Sequence, residues 1–207
     1  MILDIHTHRP APYPDGVVSL RNFDVNPVEG QLYSAGIHPW DTVDVPGDDT
    51  FARLEKLARE KQVVMIGECG VDPAKGAPLF RQLQILKRQI DLSERLNKPL
   101  LLHCVKSADI IMGLKRDLNP RQPWIIHGFR GKPEQARQLT GKGIYLSFGE
   151  KFNPATVISM PDDMILAETD ESLLSITEII EALSRAAGRD LSSAIAANTE
   201  ILTKSEA

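Results

Sequence analysis

Cysteine is scarce in this 207-residue chain, which has only Cys69 and Cys104. Two thiols cannot build a disulfide framework, and a chain of this kind is expected reduced, in the cytoplasm. Long apolar runs are missing too. Nothing approaches the roughly 20 residues that cross a bilayer, so no membrane association is expected. The start, Met1 to His8, has neither the basic opening nor the apolar stretch of a secretory leader. A strong charge of either sign is also absent. With 24 Lys and Arg against 28 Asp and Glu, the formal net charge is −4. Bulk electrostatics therefore give no push toward nucleic acid, although a local basic patch can coexist with an acidic whole. Internal repeats, low-complexity segments and interdomain linkers are lacking, and nothing calls for an obligate protein partner. The length suits one sizeable core, so residues 1–207 read as a single domain.

What is present is a succession of short apolar runs, several of them β-branched. They are Ile2–Ile5, Val17–Leu20, Leu32–Ile37, Val63–Ile66, Leu100–Leu102, Trp124–Ile126, Ile144–Leu146 and Met164–Ala167. Bounded by Gly, Pro or polar residues, each reads as a buried strand. From the third onward they alternate with helical patterns over Thr50–Glu60, Leu79–Leu96, Ala108–Leu118, Pro133–Leu139 and Ile176–Ala187. Alternation of this kind implies parallel strands joined by right-handed crossovers. Eight strands favour a closed (β/α) TIM-type barrel over an open sheet. The start is irregular. No good helix lies between His8 and Leu32, so the first helices of the barrel are expected to be reduced or missing. Alternation along strand one turns Leu3 and Ile5 outward if His6 and His8 face inward. The C-terminal segment Ser175–Leu202 is the expected main cover for that bare face, and the proline-rich loop Arg9–Gly16 is placed on the rim.

Histidine is sparse as well, yet its five residues are not scattered. His6 and His8 end strand one, His38 follows strand three, His103 ends strand five and His127 ends strand six. Glu68 ends strand four and Asp170 follows strand eight. In a parallel barrel all those strand ends share one rim, where active sites are built. Imidazoles with two carboxylates suit Zn²⁺, Mn²⁺ or related ions, and the set is large enough for two. Singly, each residue has a plainer reading. Asp170 could cap the following helix, and Glu68 could pair with a lysine. Cys69 and Cys104 each follow a proposed ligand, so alternation turns them away from the pocket into packing. Lys106, Arg9, Arg130 and Lys132 lie just beyond strand ends. They could hold an anion or be solvated, with Arg130 the best placed to bind substrate.

Several motifs occur together and in order. They are Asp4-Ile5-His6-Thr7-His8, Gly36-Ile37-His38-Pro39, Gly67-Glu68-Cys69-Gly70-Val71-Asp72, Leu102-His103, His127-Gly128-Phe129-Arg130-Gly131 and Glu168-Thr169-Asp170. In this the chain resembles the TatD family of metal-dependent deoxyribonucleases, over residues 2 to about 202, with Asn198-Thr199 near the end. The resemblance implies a fold of the metal-dependent hydrolase barrel class and a divalent-metal-dependent hydrolase of phosphodiester bonds. DNA or a small phosphoester would be its substrate. It implies two ions (Mg, Mn or Zn), with His6, His8 and Asp170 on one, His103 and His127 on the other, and Glu68 bridging them. Asp170 and Glu68 would be catalytic, Asp170 orienting or deprotonating the attacking water. His38 would contact the substrate phosphate. The chain departs from the family in its short segment between His8 and Gly36 and in Val71-Asp72-Pro73, where an aromatic usually follows. Two other enzyme classes compete. One is an amidohydrolase-type hydrolase of a small ester, lactone or amide. The other is a PHP-type phosphoesterase, which also opens Asp-x-His-x-His but needs a late histidine, and none follows His127 here.

Overall fold

The computed structural model describes residues 3–44 and 46–204. Eight parallel strands close into a barrel in chain order. They are β1 (Asp4–Thr7), β2 (Gly16–Leu20), β3 (Leu32–Ala35), β4 (Val63–Val71), β5 (Leu100–Cys104), β6 (Trp124–Ile126), β7 (Ile144–Phe148) and β8 (Ile165–Ala167). Among the described residues seven α-helices follow the same order: α1 (Asp48–Ala58), α2 (Leu79–Leu96), α3 (Ala108–Leu118), α4 (Pro133–Thr140), α5 (Pro154–Ser159), α6 (Ile176–Ala187) and α7 (Ser192–Thr203). The expected strands are all present, with Ile2 of the first lying outside the described residues. Among the described residues between β1 and β3 no helix forms, so the barrel does lack its first two covering helices.

Several strand boundaries differ from the apolar runs, two of them for a clear physical reason. β4 continues past Ile66 to Val71 because Gly67 and Gly70 carry no Cβ. A Cβ there would stand 2.4 Å from the Leu101 carbonyl oxygen and 2.0 Å from that of His103. Side chains are therefore excluded where β4 presses on β5, and the run of apolar residues breaks although the strand does not. β3 stops at Ala35 rather than Ile37. Both backbone groups of Ile37 are taken by the Gln89 side chain, at 2.7 and 3.1 Å, instead of by a neighbouring strand.

The core has two layers. An outer cluster packs strands against helices, with Leu54, Leu86, Ile111, Leu139, Ile179 and Leu183 among its helical members. An inner cluster fills the barrel with Ile5, Val17, Met65, Leu101, Ile125 and Leu166, and Leu202 of α7 closes its lower end. Ile5 thus points inward, against the alternation argument. Asp4 pairs with Gly16 and Thr7 with Val18, so three steps along β1 match two along β2. The extra residue is a bulge, and a bulge resets which face each side chain takes. The cover over the first strands also differs from expectation. α6 packs chiefly on α5 and β8, and α7 on β8 and the turn before it. The outer faces of the first strands are covered by their own loops, through Ala11, Tyr13, Phe23 and Val25. Buried Gln31 ties those loops together. Its Oε1 accepts the Tyr13 N–H at 2.5 Å and its Nε2 donates to Gly16 and Leu32 carbonyls. Arg9 reaches over the rim, as the loop's expected position requires, donating to the Ser172 and Leu174 carbonyls.

Candidate metal centre

The strand ends bring Glu68 and all five histidines into one cluster at the C-terminal mouth. Glu68 is almost fully buried, and its two oxygens serve different neighbours. Oε2 stands 3.4 Å from His6 Nε2 and 3.3 Å from His8 Nε2. Asp170 Oδ1 closes that half at 3.7 and 3.6 Å from the same two nitrogens. Oε1 lies 2.8 Å from His103 Nδ1, 2.8 Å from His127 Nε2 and 2.9 Å from His38 Nε2. Donors each about 2.1 Å from one ion sit roughly 3.0–3.5 Å apart, so spacings of this order suit ligation. The plainer readings of the carboxylates fail here. The helix after Asp170 is capped by Ser175, in a capping box with Glu178, and Glu68 pairs with histidines rather than a lysine.

Hydrogen bonding tests whether cations fit. His6 is completely buried, and neither of its ring nitrogens has a hydrogen-bond partner. A buried orphan polar group costs about 1–3 kcal/mol, and a metal ion removes that penalty for an imidazole nitrogen. Electrostatics point the same way. Burial alone would raise the Glu68 carboxyl, but the His127, His103 and His38 imidazoles outweigh it and hold Glu68 far below the carboxylate range. Burial disfavours a charged His127, yet Glu68 and Glu168 drive its pKa well above the ordinary value. The pocket thus concentrates negative charge that calls for cations. The donor set fits divalent metal ions.

His38 behaves differently. Its Nδ1 accepts the backbone N–H of Trp40 at 3.1 Å, so the ring proton sits on Nε2, which donates to Glu68. A nitrogen carrying a proton cannot bind a metal, which separates His38 from the other four. Burial also lowers its pKa, favouring the neutral ring.

Three carboxylates behind the cluster had no role read from the sequence. Glu168 Oε1 is 3.4 Å from His127 Nδ1, where it can fix that ring's orientation from outside. Asp72 Oδ2 is 3.7 Å from His103 Nε2. Asp4 accepts the Thr169 N–H at 3.0 Å, with the Thr169 hydroxyl 2.6 Å away; its burial pushes its carboxyl up to about 7. Each sits within a quoted motif, but a carboxylate one shell out has no signature of its own. Cys69 is buried as expected. Cys104 is half-buried and lines a cavity of about 460 Å³ beside His103, His127 and Asp170, so alternation did not take it wholly out of the pocket region. Exposed Lys106 and Arg130 line the same cavity. Lys132 is exposed at the head of α4. A larger hollow of about 550 Å³ between α1 and α2 holds none of the histidines.

The chain is thus a closed parallel barrel with a cluster of histidines and carboxylates at its C-terminal mouth, in groupings that could hold a metal ion. The family profile described as TatD related DNase matches residues 26–190, and the chain belongs to that family. It is 32% identical to the uncharacterized metal-dependent hydrolase YabD of Bacillus subtilis over 149 residues, covering 67% of this chain and 58% of that protein. It is 32% identical to the 3'-5' ssDNA/RNA exonuclease TatD of Cronobacter sakazakii over 157 residues, covering 70% and 59%. The chain thus spans somewhat under three fifths of the length of these curated relatives. The crystal structure of the TatD homologue YjjV from Escherichia coli superposes with a TM-score of 0.77 at 20% identity, over 98% of this chain and 97% of that one. That likeness speaks to the fold. Among the described residues no helix is long and apolar enough to cross a membrane.

Proposed function

We propose that the protein is a divalent-metal-dependent hydrolase that cleaves phosphodiester bonds, its 207 residues forming one barrel domain. The observation that carries this reading is the division of Glu68, with one oxygen facing His6 and His8 and the other facing His103 and His127. In this reading His6, His8 and Asp170 hold one ion, His103 and His127 hold a second, and Glu68 is shared. Mg, Mn or Zn each suits such a mixed imidazole and carboxylate set. Divalent ions held there would supply a water acidified to a pKa of about 7 and neutralise charge on the phosphate.

The chain's own groups do the rest. Asp170, part-exposed at the mouth, takes the water proton on its carboxylate as the water oxygen bonds to phosphorus. The bond from phosphorus to the leaving oxygen breaks, and that oxygen is protonated from solvent. His38 Nε2–H, fixed as a donor by Trp40, turns from Glu68 to a phosphate oxygen. Arg130 and Lys106 add positive charge along the cavity that leads out. The substrate class proposed is DNA, with single-stranded or frayed ends favoured over intact duplex, because a rim pocket does not reach a phosphate inside a stacked helix. A small phosphoester is the alternative within the same chemistry.

The test is an assay of purified protein on single-stranded DNA, duplex DNA and bis-p-nitrophenyl phosphate, each with Mg²⁺, Mn²⁺ or Zn²⁺ and with EDTA. Metal-dependent release of nucleotides, abolished by EDTA, supports the reading. Hydrolysis confined to neutral esters or lactones would overturn it and select an amidohydrolase-type activity.

A further inference from the structure

Trp40 touches both halves of a hydrogen-bond frame behind the centre. Its backbone N–H donates to His38 Nδ1 at 3.1 Å. Its indole Nε1–H donates to Asp72 Oδ2 at 2.8 Å, and that same oxygen faces His103 Nε2 at 3.7 Å. The Lys75 ammonium lies 3.2 Å above the indole ring and holds it from outside. α2 supports each half separately, through Gln82 and Gln89, which lie seven residues apart on one face and are both buried. Gln89 clamps the peptide of Ile37, the residue before His38, accepting its N–H and donating to its carbonyl. Gln82 clamps Asp72 in the same manner, at 2.8 Å to its N–H and 2.9 Å to its carbonyl. A side-chain amide thus satisfies both backbone groups of the residues at which β3 and β4 leave the barrel.

We infer that Trp40 is a positioning residue for two histidines at once, keeping His38 a proton donor and placing the Asp72 carboxylate behind His103, where it would orient that ring as a metal ligand. By its backbone it puts the His38 proton on Nε2. By its indole it holds the Asp72 carboxylate 3.7 Å from His103 Nε2, where it would face the Nε2 proton of a ring that ligates through Nδ1; without a metal, Nδ1 itself carries the proton and donates to Glu68 at 2.8 Å. A carboxylate behind a ligating imidazole orients the ring and raises its basicity, and losing such a partner typically weakens metal binding by 10–100-fold. The inference rests on the metal-site reading above but not on the substrate.

The two halves can be separated by mutation. Trp40→Phe removes the indole donor and keeps the backbone N–H. Gln82→Leu loosens Asp72, and Gln89→Leu loosens Ile37. The readout is the ring ¹⁵N spectrum of histidine-labelled protein without metal and with Zn²⁺, which reports the tautomer of each ring, together with Mn²⁺ affinity by calorimetry. In the unaltered protein His38 is expected to carry its proton on Nε2 throughout, and His103 on Nδ1 without metal and on Nε2 once Zn²⁺ is bound. Trp40→Phe and Gln82→Leu should shift the His103 Nε2 signal of the Zn²⁺-loaded protein, leave His38 unchanged, and weaken Mn²⁺ binding by about 10–100-fold. Gln89→Leu should disturb His38 and leave His103 unchanged. Unaltered His103 signals and Mn²⁺ affinity in Trp40→Phe would overturn the inference. So would equal disturbance of every histidine, His6 and His8 included, which would mark a general loss of packing. Because no substrate enters these measurements, a protein that gave the expected pattern yet cleaved no phosphodiester would retire the nuclease reading alone.

Discussion

Replacing Asp170 by Asn and by Ala separates its chemistry from its place in the backbone. Asp170 has φ of +50°, in the left-handed region, which Asn and Asp tolerate far better than other side chains. Its peptide also stitches β8 to β1, donating to the His6 carbonyl at 3.0 Å and accepting the His8 N–H at 3.0 Å. Asp170→Asn keeps both features. Its melting temperature should therefore stay within a degree or two of the unaltered protein when both are metal-free. Asp170→Ala adds the left-handed penalty of about 1–2 kcal/mol. For a chain of this length that lowers the melting temperature by roughly 2–8 °C. Turnover should fall in both variants, since neither side chain can take the water's proton. The loss of a positioned general base is about 10²–10⁴-fold. Calorimetric melts with EDTA present and steady-state assays of phosphodiester cleavage with Mn²⁺ measure the two quantities independently. Near-normal turnover in Asp170→Asn would refute the catalytic role. Equal destabilisation of both variants would refute the backbone argument.

Chelation should act on stability as well as activity. Ions that bind only the folded chain at a hundred times their dissociation constant stabilise it by about 2.7 kcal/mol, or roughly 5–11 °C. Scanning calorimetry with Mn²⁺ and then EDTA reads this, and identical melts would count against metal binding. Glu55 sits between Arg95 and Arg59, whose hydrogen bonds lower its carboxyl from 4.5 to about 2. A depressed carboxyl stabilises above its ordinary value and loses that contribution as pH falls toward 2. Glu55→Gln should therefore destabilise by at most about 1 kcal/mol at pH 7, and urea melts of the two proteins should converge at low pH. Leu202→Ala opens a cavity at the lower end of the inner cluster, for about 2–5 kcal/mol. Mn²⁺ binding at the opposite mouth should be unaltered at temperatures where the variant stays folded.

The barrel was legible because its strands are short apolar runs, several of them followed by a histidine, and the helices between them keep a 3.6-residue period. The ligand cluster was legible for the same reason. His103 and His127 each follow an apolar run directly, so the run itself locates the side chain on the rim. What stayed hidden depends on contacts between distant residues. The β1 bulge shows only in its pairing with β2, so Ile5 was turned to the wrong face. α5, six residues long, is too short to show a period. Asp72 and Glu168 act on histidines 31 and 41 positions away, a separation at which no spacing rule applies. Gln82 and Gln89 read as ordinary polar positions of an amphipathic helix until Asp72 and Ile37 are seen against them.

The missing first helices bear differently on the two halves of the centre. His6 and His8 are held from the β8 side. Thr169 bonds Asp4 through its backbone and hydroxyl, its hydroxyl lies 2.7 Å from that of Thr7, and Asp170 pairs with the peptides of His6 and His8. β8 keeps its helical cover in α6 and α7, so the support of this half survives the shortening of residues 9–31. His38 and His103 are held by α2, which is full length. Neither half depends on a helix after β1 or β2. The shortening acts instead on the rim. Arg9 folds across to the carbonyls of Ser172 and Leu174, three residues or fewer from the Glu171 that follows Asp170. Leu173 between them is left 97% exposed. A loop pinned on both sides of an exposed leucine, beside the proposed base, reshapes the approach to the centre and leaves the ligands where they are. Any narrowing of substrate choice in this short chain is therefore to be sought among Arg9, Leu173 and Leu174 rather than among the histidines.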